Sequence, residues 1–377
     1  MRVLSIFGTR PEAVKMAPVV QALQQQRGID SIVCVTAQHR EMLDQVLDLF
    51  QIQPDHDLNL MRPDQSLADL TAGILTSLDP VLAKENPDWV LVQGDTTTVM
   101  AASLAAFYRS IRVGHVEAGL RTGDKRQPFP EEINRHLTTV LADLHFAPTE
   151  RSRDNLLREG VAEARIKVTG NTVIDALQQI IRTDTPPQVR DWLEEWGIRP
   201  GGRRLVLVTA HRRENFGEPI QHICEAIENL ARCYGNDLHI VYPVHLNPNI
   251  QEPVYRLLSG VPGIILVKPV DYVSLIHLIK HAAIVLTDSG GIQEEATGLG
   301  KPALVLREVT ERPEGVDAGV LRLVGSTPEV IVREASRLLD DPDAYAEMAR
   351  VTSLFGDGKA AGRIVEALLS QPEHIRY

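Results

Sequence analysis

Short apolar runs alternate with amphipathic segments along the first half of the chain. Buried strands are predicted at residues 3–7, 32–36, 89–93, 111–116, 145–148 and 166–169. Between them, apolar residues recur at the three- to four-residue spacing of a helix face, as at Val14, Ala17 and Val20. Regular alternation of strands and helices predicts a parallel, doubly wound α/β sheet.

The pattern restarts after a polar, proline-containing segment at residues 183–187 (TDTPP), which disfavours helix and suits a linker. Strands are predicted beyond it at residues 205–209, 239–242, 264–267, 284–287 and 303–306. The segments VLSIFGTRPE and LVLVTAHRRE both read as a strand followed by a turn with arginine and glutamate. We therefore expect two Rossmann-like domains, residues 1–183 joined by the C-terminal helix 356–377, and residues 184–355. Facing strand ends would leave a cleft, where ligands preferentially bind.

Three acids follow the ends of predicted strands or begin a helix in the stretch from residue 94 to 135. Asp95 follows one strand, Glu117 follows the next, and Glu131 opens a helix that also carries Arg135. Because ligands bind at the carboxyl ends of parallel strands, these acids are expected to share a pocket and to transfer protons there. Other readings remain open: Asp95 could cap the next helix, and Glu131 could be a first-turn acid favoured by the helix dipole. Arg135 could pair with an acid on its own helix or position a catalytic one.

Two turns have the composition of anion sites. Arg10 lies at the entrance of the first helix and Lys15 one turn further, so both could meet a phosphate there, or both could be solvated surface residues. The turn Ser289-Gly290-Gly291 lies between a strand and a helix, where glycines let backbone N–H groups approach an anion. Its alternative reading is a tight turn with a capping serine.

Composition narrows the class of protein. The net charge is −11, from 39 basic and 50 acidic residues, which argues against a nucleic-acid surface. The three cysteines form no CxxC pair, no apolar run has membrane length, and the N-terminus lacks the pattern of a signal peptide, so we expect a cytoplasmic protein. GxGxxG after the first strand, the P-loop and HExxH are absent, so neither a nicotinamide cofactor nor a metal is expected.

Ten motifs together resemble the non-hydrolysing UDP-N-acetylglucosamine 2-epimerases, in the same order and over essentially the whole chain. They are GTRPEAVKMAP, VTAQHREMLDQVL, GDTTT, GHVEAGLRTGD, PEEINR, TGNTVIDAL, HRREN, YPVHLNP, LTDSGGIQEEA and TERPE. The resemblance implies a GT-B fold, with two Rossmann-like doubly wound domains facing across a cleft that holds the sugar nucleotide. It also implies a homodimer that needs no cofactor and supplies N-acetylmannosamine precursors for cell-surface polysaccharide.

The family interconverts UDP-N-acetylglucosamine and UDP-N-acetylmannosamine by eliminating UDP to a 2-acetamidoglucal and adding it back, and closure of the two halves is expected to retain the glucal. The resemblance assigns catalysis to Asp95, Glu117, Glu131 and His211. It assigns substrate binding to Arg10, Lys15, Arg135, Val270, Leu275, Ser289, Gly290, Gly291, Glu295 and Arg312. The roles of acid and base stay open, and His211 could instead be a satisfied histidine at a strand end.

Some members also bind a second UDP-N-acetylglucosamine as an activator, and the corresponding positions here are Gln38, Arg212 and His245. Gln38 and His245 could equally be structural polar residues. Val270 and Leu275 stand where the family often has glutamine and an aromatic residue, so base recognition is left open. The competing functions are a hydrolysing epimerase, a GT-B glycosyltransferase with a separate acceptor, and a non-catalytic sugar-nucleotide sensor.

Overall fold

The computed structural model describes residues 1–36, 40–60, 65–199 and 202–372. This chain divides into two compact units. Unit 1 comprises Met1–Gln178 together with the C-terminal segment from Phe355, and unit 2 comprises Gln179–Leu354.

Unit 1 is built on a seven-stranded parallel sheet. Its strands are β1 (Arg2–Phe7), β2 (Asp30–Val35), β3 (His56–Asp57), β4 (Trp89–Gln93), β5 (Arg112–Val116), β6 (Leu144–Ala147) and β7 (Ile166–Val168). They lie in the order β3-β2-β1-β4-β5-β6-β7. The pattern predicted every strand except β3, which has only two residues and forms by pairing with the end of β2.

Unit 2 repeats this arrangement with six parallel strands. They are β8 (Arg204–Thr209), β9 (Leu238–Pro243), β10 (Ile264–Val267), β11 (Ile284–Thr287), β12 (Ala303–Val305) and β13 (Leu321–Leu323), in the order β10-β9-β8-β11-β12-β13. In both units the strand order reverses beside the first strand, as in a Rossmann sheet. The predicted doubly wound α/β class is therefore confirmed, whereas the three-residue strand β13 was missed.

Sixteen α-helices accompany the strands in the part of the chain that the structure describes. In chain order they are α1 (Arg10–Gln25), α2 (Arg40–Leu49), α3 (Leu67–Glu85), α4 (Thr97–Tyr108), α5 (Glu131–Leu141), α6 (Glu150–Arg158), α7 (Thr172–Ile180), α8 (Pro187–Glu195), α9 (Glu218–Tyr234), α10 (Pro248–Leu258), α11 (Tyr272–His281), α12 (Gly290–Gly298), α13 (Pro313–Asp317), α14 (Pro328–Asp340), α15 (Pro342–Met348) and α16 (Ala360–Leu369). Among the described residues, no helix has both the length and the apolar character needed to cross a membrane.

The apolar runs that predicted the strands form the cores. All five residues of β4 are buried, and Val90 and Val92 pack with Leu4 and Val99 in the core of unit 1. Strands buried on both faces read as continuous apolar runs, which is why the sequence pattern located them.

The C-terminal helix α16 belongs to unit 1 and packs on α1. Its first turn is fixed by the buried carboxylate of Asp175, which accepts hydrogen bonds from the backbone N–H groups of Ala360 and Ala361, at 3.2 and 2.9 Å. A carboxylate satisfies N–H groups that the first turn of a helix leaves without an intrahelical partner. This contact holds the end of the chain against the unit that contains its beginning.

Candidate active site

The predicted site residues that the structure describes fall at or near the carboxyl ends of the two parallel sheets. In unit 1 these residues are Arg10, Lys15, Asp95, Glu117, Glu131 and Arg135. In unit 2 they are His211, Arg212, His245, Val270, Leu275, Ser289, Gly290, Gly291, Glu295 and Arg312. The turns after β1 and β4, and those after β8 and β11, flank the points of strand-order reversal, where such sheets bind ligands. Gln38 lies outside the described residues.

Glu117 follows β5 in a left-handed backbone conformation, with φ of 66°. This conformation is uncommon for a residue with a side chain, and strained residues of this kind cluster at functional sites. The Glu117 Oε2 atom accepts hydrogen bonds from Lys15 Nζ at 2.5 Å and from Asn171 Nδ2 at 2.6 Å. Only 4% of the Glu117 side chain is exposed. The left-handed backbone therefore directs the Glu117 carboxylate into the site. The Lys15 ammonium and the Asn171 amide hold it there in one orientation.

The same contact decides between the two readings of Lys15. Its side chain is only 10% exposed, so the surface alternative is wrong. A buried ammonium needs an anionic partner, and Glu117 supplies it.

Asp95 is held by the first turns of α5. Arg135 Nη2 donates to Asp95 Oδ2 at 2.5 Å, and Asn134 Nδ2 donates to the Asp95 backbone carbonyl at 2.9 Å. Arg135 also binds Glu132 through Nη1, at 2.8 Å. The residue that caps α4 is Thr96, whose hydroxyl accepts from the Val99 N–H, so the capping alternative for Asp95 is wrong. Arg135 thus positions Asp95 while paired within its own helix.

Glu131 is the first residue of α5 and lies one turn before Arg135. The helix that contacts Asp95 therefore also brings Glu131 to this end of the sheet. Because Glu131 occupies the first turn, its helix-dipole reading and its functional reading are both compatible with its place.

A buried glutamate that the sequence analysis did not single out joins two of these turns. Glu12 Oε2 accepts from the N–H groups of Gly8 and Thr9, at 3.1 and 2.7 Å, and its Oε1 accepts from the Thr96 hydroxyl at 2.7 Å. Burial raises the pKa of Glu12, and these hydrogen bonds oppose the shift. Glu12 therefore links the turn after β1, which carries Arg10, to the turn after β4, which carries Asp95.

His115 supports the same turn from within β5. Its Nε2 lies 2.7 Å from the carbonyl oxygen of Gly94. Burial lowers the pKa of His115 to about 4, so the ring is neutral near pH 7 and Nε2 carries the proton that it donates. His115 therefore fixes the backbone beside Asp95 without adding a charge.

In unit 2, Asp288 joins the ends of β8 and β11. Asp288 Oδ2 accepts hydrogen bonds from the backbone N–H groups of His211 and Arg212, both at 2.8 Å, and from Asn215 Nδ2 at 2.9 Å. The His211 Nδ1 atom lies 3.6 Å from Asp288 Oδ1. The rings of His211 and His245 are stacked, with centroids 5.3 Å apart. The structure therefore brings together one predicted catalytic residue and two predicted activator-site residues.

The Ser289-Gly290-Gly291 turn is shaped by an arginine packed beneath it. Arg312 is 3% exposed, and its Nε donates to Glu294 Oε1 at 2.7 Å. A Cβ atom at Gly290 would lie 2.4 Å from Arg312 Nη1, so a larger residue there would have to displace the guanidinium. Ser289 precedes α12 but makes no capping hydrogen bond with its side chain, so the capping-serine reading is wrong.

The ion pairs beneath this turn continue to the turn after β8. Glu311 Oε2 accepts from Arg307 Nη1 at 2.7 Å and lies 3.5 Å from Arg312 Nη1. Arg307, whose side chain is fully buried, also contacts Glu214 of the HRREN segment. Charges buried in this way are stable only when each has its partner, so the two turns depend on one network.

The remaining predicted residues of unit 2 lie around these turns. Val270 precedes α11, Leu275 is buried within that helix, and Glu295 is buried in α12. Asn171 and Asp288 were missed, although each follows a strand, as do Asp95 and Glu117. Within the described residues, no group of three or more histidine, cysteine or acidic side chains could hold a metal ion.

Comparisons with known proteins agree with one another. A family model described as UDP-N-acetylglucosamine 2-epimerase matches residues 21–369. The UDP-N-acetylglucosamine 2-epimerase of Salmonella typhimurium is 54% identical over 98% of this chain and 99% of that protein. The Neisseria meningitidis UDP-GlcNAc 2-epimerase, solved with UDP-GlcNAc bound, has a TM-score of 0.95 and 50% identity over 98% of this chain and 100% of that chain.

A relative of lower sequence identity matches the same share of this chain. The Methanocaldococcus jannaschii UDP-GlcNAc 2-epimerase, solved in complex with UDP-GlcNAc and UDP, has a TM-score of 0.87 and 35% identity over 98% of this chain and 100% of that chain. Together these matches confirm the predicted class of fold, with two Rossmann-like α/β domains of the GT-B type.

The two glycines of the turn give a matched pair of variants. Gly290→Ala should lower the free energy of unfolding by about 1–3 kcal/mol, because the new methyl group displaces the Arg312 guanidinium from its buried ion pairs. Gly291→Ala should be neutral or stabilising by up to about 1 kcal/mol, because a Cβ there would have no heavy atom within 4 Å and alanine favours helix. Urea unfolding measures both. Equal effects of the two variants would contradict this account of the turn.

Proposed function

Because this chain belongs to the UDP-N-acetylglucosamine 2-epimerase family, we propose that it interconverts UDP-N-acetylglucosamine and UDP-N-acetylmannosamine without hydrolysing either. It is an isomerase that acts on a sugar nucleotide. Two relatives solved with UDP-GlcNAc bound, at 50% and 35% identity over nearly the whole chain, support this choice of substrate.

The C2 proton is not next to a carbonyl group, so the proposed chemistry couples its removal to the loss of UDP instead of forming an unstabilised carbanion. A base takes the C2 proton while the bond from C1 to the UDP oxygen breaks, which gives 2-acetamidoglucal and UDP. UDP then adds back to C1, and an acid delivers a proton to the other face of C2. The bonds and protons balance within one cycle, so no oxidant and no cofactor is required.

We assign the proton transfers to Asp95, Glu117 and Glu131. The observation that carries this assignment is the environment of Glu117, which is a buried carboxylate in a left-handed backbone, bound by Lys15 and Asn171. Strained backbone at a buried, charged side chain is common where that side chain acts on a ligand. Asp95 has its own cation, Arg135, so each of these two acids is oriented independently.

We assign UDP binding to the anion-binding turns. In unit 2, the 289–291 turn offers the N-terminus of α12, and the Arg312 guanidinium lies against Gly290 of that turn. Positive charge fixed in advance stabilises a leaving diphosphate without reorganisation. Arg10 contributes in the same way at the start of α1, Glu295 accepts from ribose hydroxyls, Val270 and Leu275 pack near the base, and His211 acts near the phosphates and the sugar.

We also propose a cytoplasmic enzyme that supplies N-acetylmannosamine precursors for cell-surface polysaccharide. The three free cysteines, Cys34, Cys224 and the exposed Cys233, suit a reducing compartment. A second UDP-N-acetylglucosamine is proposed to act as an allosteric activator beside Arg212 and His245. The stacking of His245 on His211 supports this, because an occupant of one position would touch the other.

A homodimer is the proposed assembly, and an apolar face of unit 1 supports it. Ile133, Leu137 and Val140 lie on one side of α5 and are 40%, 46% and 83% exposed. Phe107 and Tyr108, at the end of the adjacent helix α4, are also exposed. Large exposed apolar groups on neighbouring helices mark an interface. The other side of α5 holds Asp95, so a second copy packed on the outer face would brace the helix that positions this acid.

Charge on this face should abolish the dimer. Leu137→Glu together with Val140→Glu should convert the protein to a monomer in sedimentation equilibrium, because two carboxylates would be desolvated at the contact. Val351→Glu, at a valine of unit 2 that is 75% exposed, is the control and should remain dimeric. A monomeric parent protein, or a dimeric double variant, would contradict the proposal.

The reaction is tested in deuterated water without added metal or NAD. Proton NMR should show deuterium entering C2 of UDP-N-acetylglucosamine as UDP-N-acetylmannosamine forms. Asp95→Asn should slow both processes by about 10²–10⁴-fold, because a general acid or base is lost. Accumulation of free UDP and free sugar would indicate a hydrolysing enzyme instead. Tight binding of UDP-N-acetylglucosamine without deuterium entry at C2 would contradict the epimerase proposal and favour a transferase or a sensor.

The same assay, started from UDP-N-acetylmannosamine alone, tests the activator. A lag that added UDP-N-acetylglucosamine removes is the expected result. If product forms linearly from the start, and added UDP-N-acetylglucosamine does not change that rate, the activator is ruled out.

A further inference from the structure

The strongest unassigned feature is the pairing of Asp288 with His211 at the strand-order reversal of unit 2. The two residues follow adjacent parallel strands, since Thr209 of β8 lies beside Thr287 of β11. Asp288 is fully buried, and its Oδ2 atom alone accepts three hydrogen bonds, two from backbone N–H groups and one from Asn215. These three hydrogen bonds fix the position of the carboxylate.

The second carboxylate oxygen of Asp288, Oδ1, faces the His211 ring and indicates a further role for this residue. Within the described residues, Oδ1 is buried without a hydrogen-bond partner, and the His211 Nδ1 atom lies 3.6 Å from it. Leaving a buried carboxylate oxygen unsatisfied is costly, and a shift of the ring by less than about 1 Å would bring Nδ1 within hydrogen-bond range. The His211 side chain is 35% exposed, so it has room to make that shift, while its stacking on His245 keeps the plane of the ring.

We propose that Asp288 is a positioning residue for His211. It accepts the Nδ1–H of the imidazole and so keeps the neutral ring in the tautomer whose Nε2 carries the lone pair that can accept a proton from the substrate. A carboxylate behind an imidazole fixes tautomer and orientation and stabilises the imidazolium in many catalytic histidines. This inference rests on the proposed epimerase function, in which His211 acts on the sugar nucleotide.

A purely structural Asp288 is the alternative, and the two roles use different oxygens. The Oδ2 atom holds the His211–Asn215 turn, and an amide oxygen could accept the same three hydrogen bonds. The Oδ1 atom faces the ring, where an amide would present N–H groups instead of a lone pair. Asp288→Asn therefore preserves the structural role and reverses the proposed one.

The first experiment compares kinetics. In Asp288→Asn the side-chain NH2 would meet Nδ1–H, so the neutral ring should change to the Nε2–H tautomer. We expect kcat to fall by about 10²–10⁴-fold, KM to change less than about 3-fold, and the urea midpoint to stay near that of the parent. The control is Asp175→Asn, at a buried aspartate that accepts backbone N–H groups of Ala360 and Ala361, and its kcat should equal that of the parent.

The second experiment does not depend on activity. Nitrogen-15 NMR of the histidine rings, with the His211 signals assigned by their loss in His211→Gln, should show Nδ1–H in the parent and Nε2–H in Asp288→Asn. Finding Nε2–H in the parent, or the same tautomer in both proteins, would overturn the inference. If the parent shows the expected tautomers but no epimerisation, the proposed function fails and the pairing stands. If epimerisation occurs without a tautomer change, the pairing fails and the function stands.

A double variant tests whether Asp288 acts only through His211. In a His211→Gln background, Asp288→Asn should cause no further loss in the rate of deuterium entry at C2, because Asp288 would act only through the missing ring. A further loss as large as that of Asp288→Asn alone would show that Asp288 acts independently of His211, and would also overturn the inference.

Discussion

The buried ion pair between Lys15 and Glu117 is the interaction on which the unit 1 site depends. Both side chains are largely removed from water, and such a pair is stable only if geometry and additional hydrogen bonds compensate for lost hydration. Asn171 provides one of those hydrogen bonds, and the left-handed backbone of Glu117 gives the direction. Because helix α1, strand β5 and the turn after β7 each contribute one member, the carboxylate is oriented by three separate parts of the fold.

In unit 2, too, buried charges are stabilised by opposite charges beside them. There the fixed charges lie beneath a glycine turn instead of inside it, and the series of Glu214, Arg307, Glu311, Arg312 and Glu294 keeps each buried charge beside an opposite one. Removing one member would leave its neighbour uncompensated, which costs more than the pair contributes. Preorganised charge of this kind suits a site that must stabilise a departing anion.

Sequence patterns located the long buried strands and the polar residues at their ends, because both leave strong local signals. They missed β3, whose two residues are polar, and β13, whose central residue is arginine, because neither is an apolar run. They left Asp95 open as a helix cap, since aspartate caps helices well, whereas in the folded chain the Thr96 hydroxyl caps α4. The left-handed conformation of Glu117 was also not predictable, because that conformation normally signals glycine. Partners distant in sequence, such as Asn171 and Glu117, become visible only in the folded chain.

The most direct test of this account is a double-mutant cycle of Lys15→Met and Glu117→Gln, measured by urea unfolding. Lys15→Met alone should destabilise the protein by about 3–5 kcal/mol, and adding Glu117→Gln should restore most of that loss, since the uncompensated buried charge is then gone. Arg109→Met, which breaks an exposed ion pair with Asp79, is the control and should leave the urea midpoint near that of the parent. Strong coupling between Lys15 and Glu117 is the predicted result. Additive effects of the two substitutions would contradict the claim that this pair organises the site.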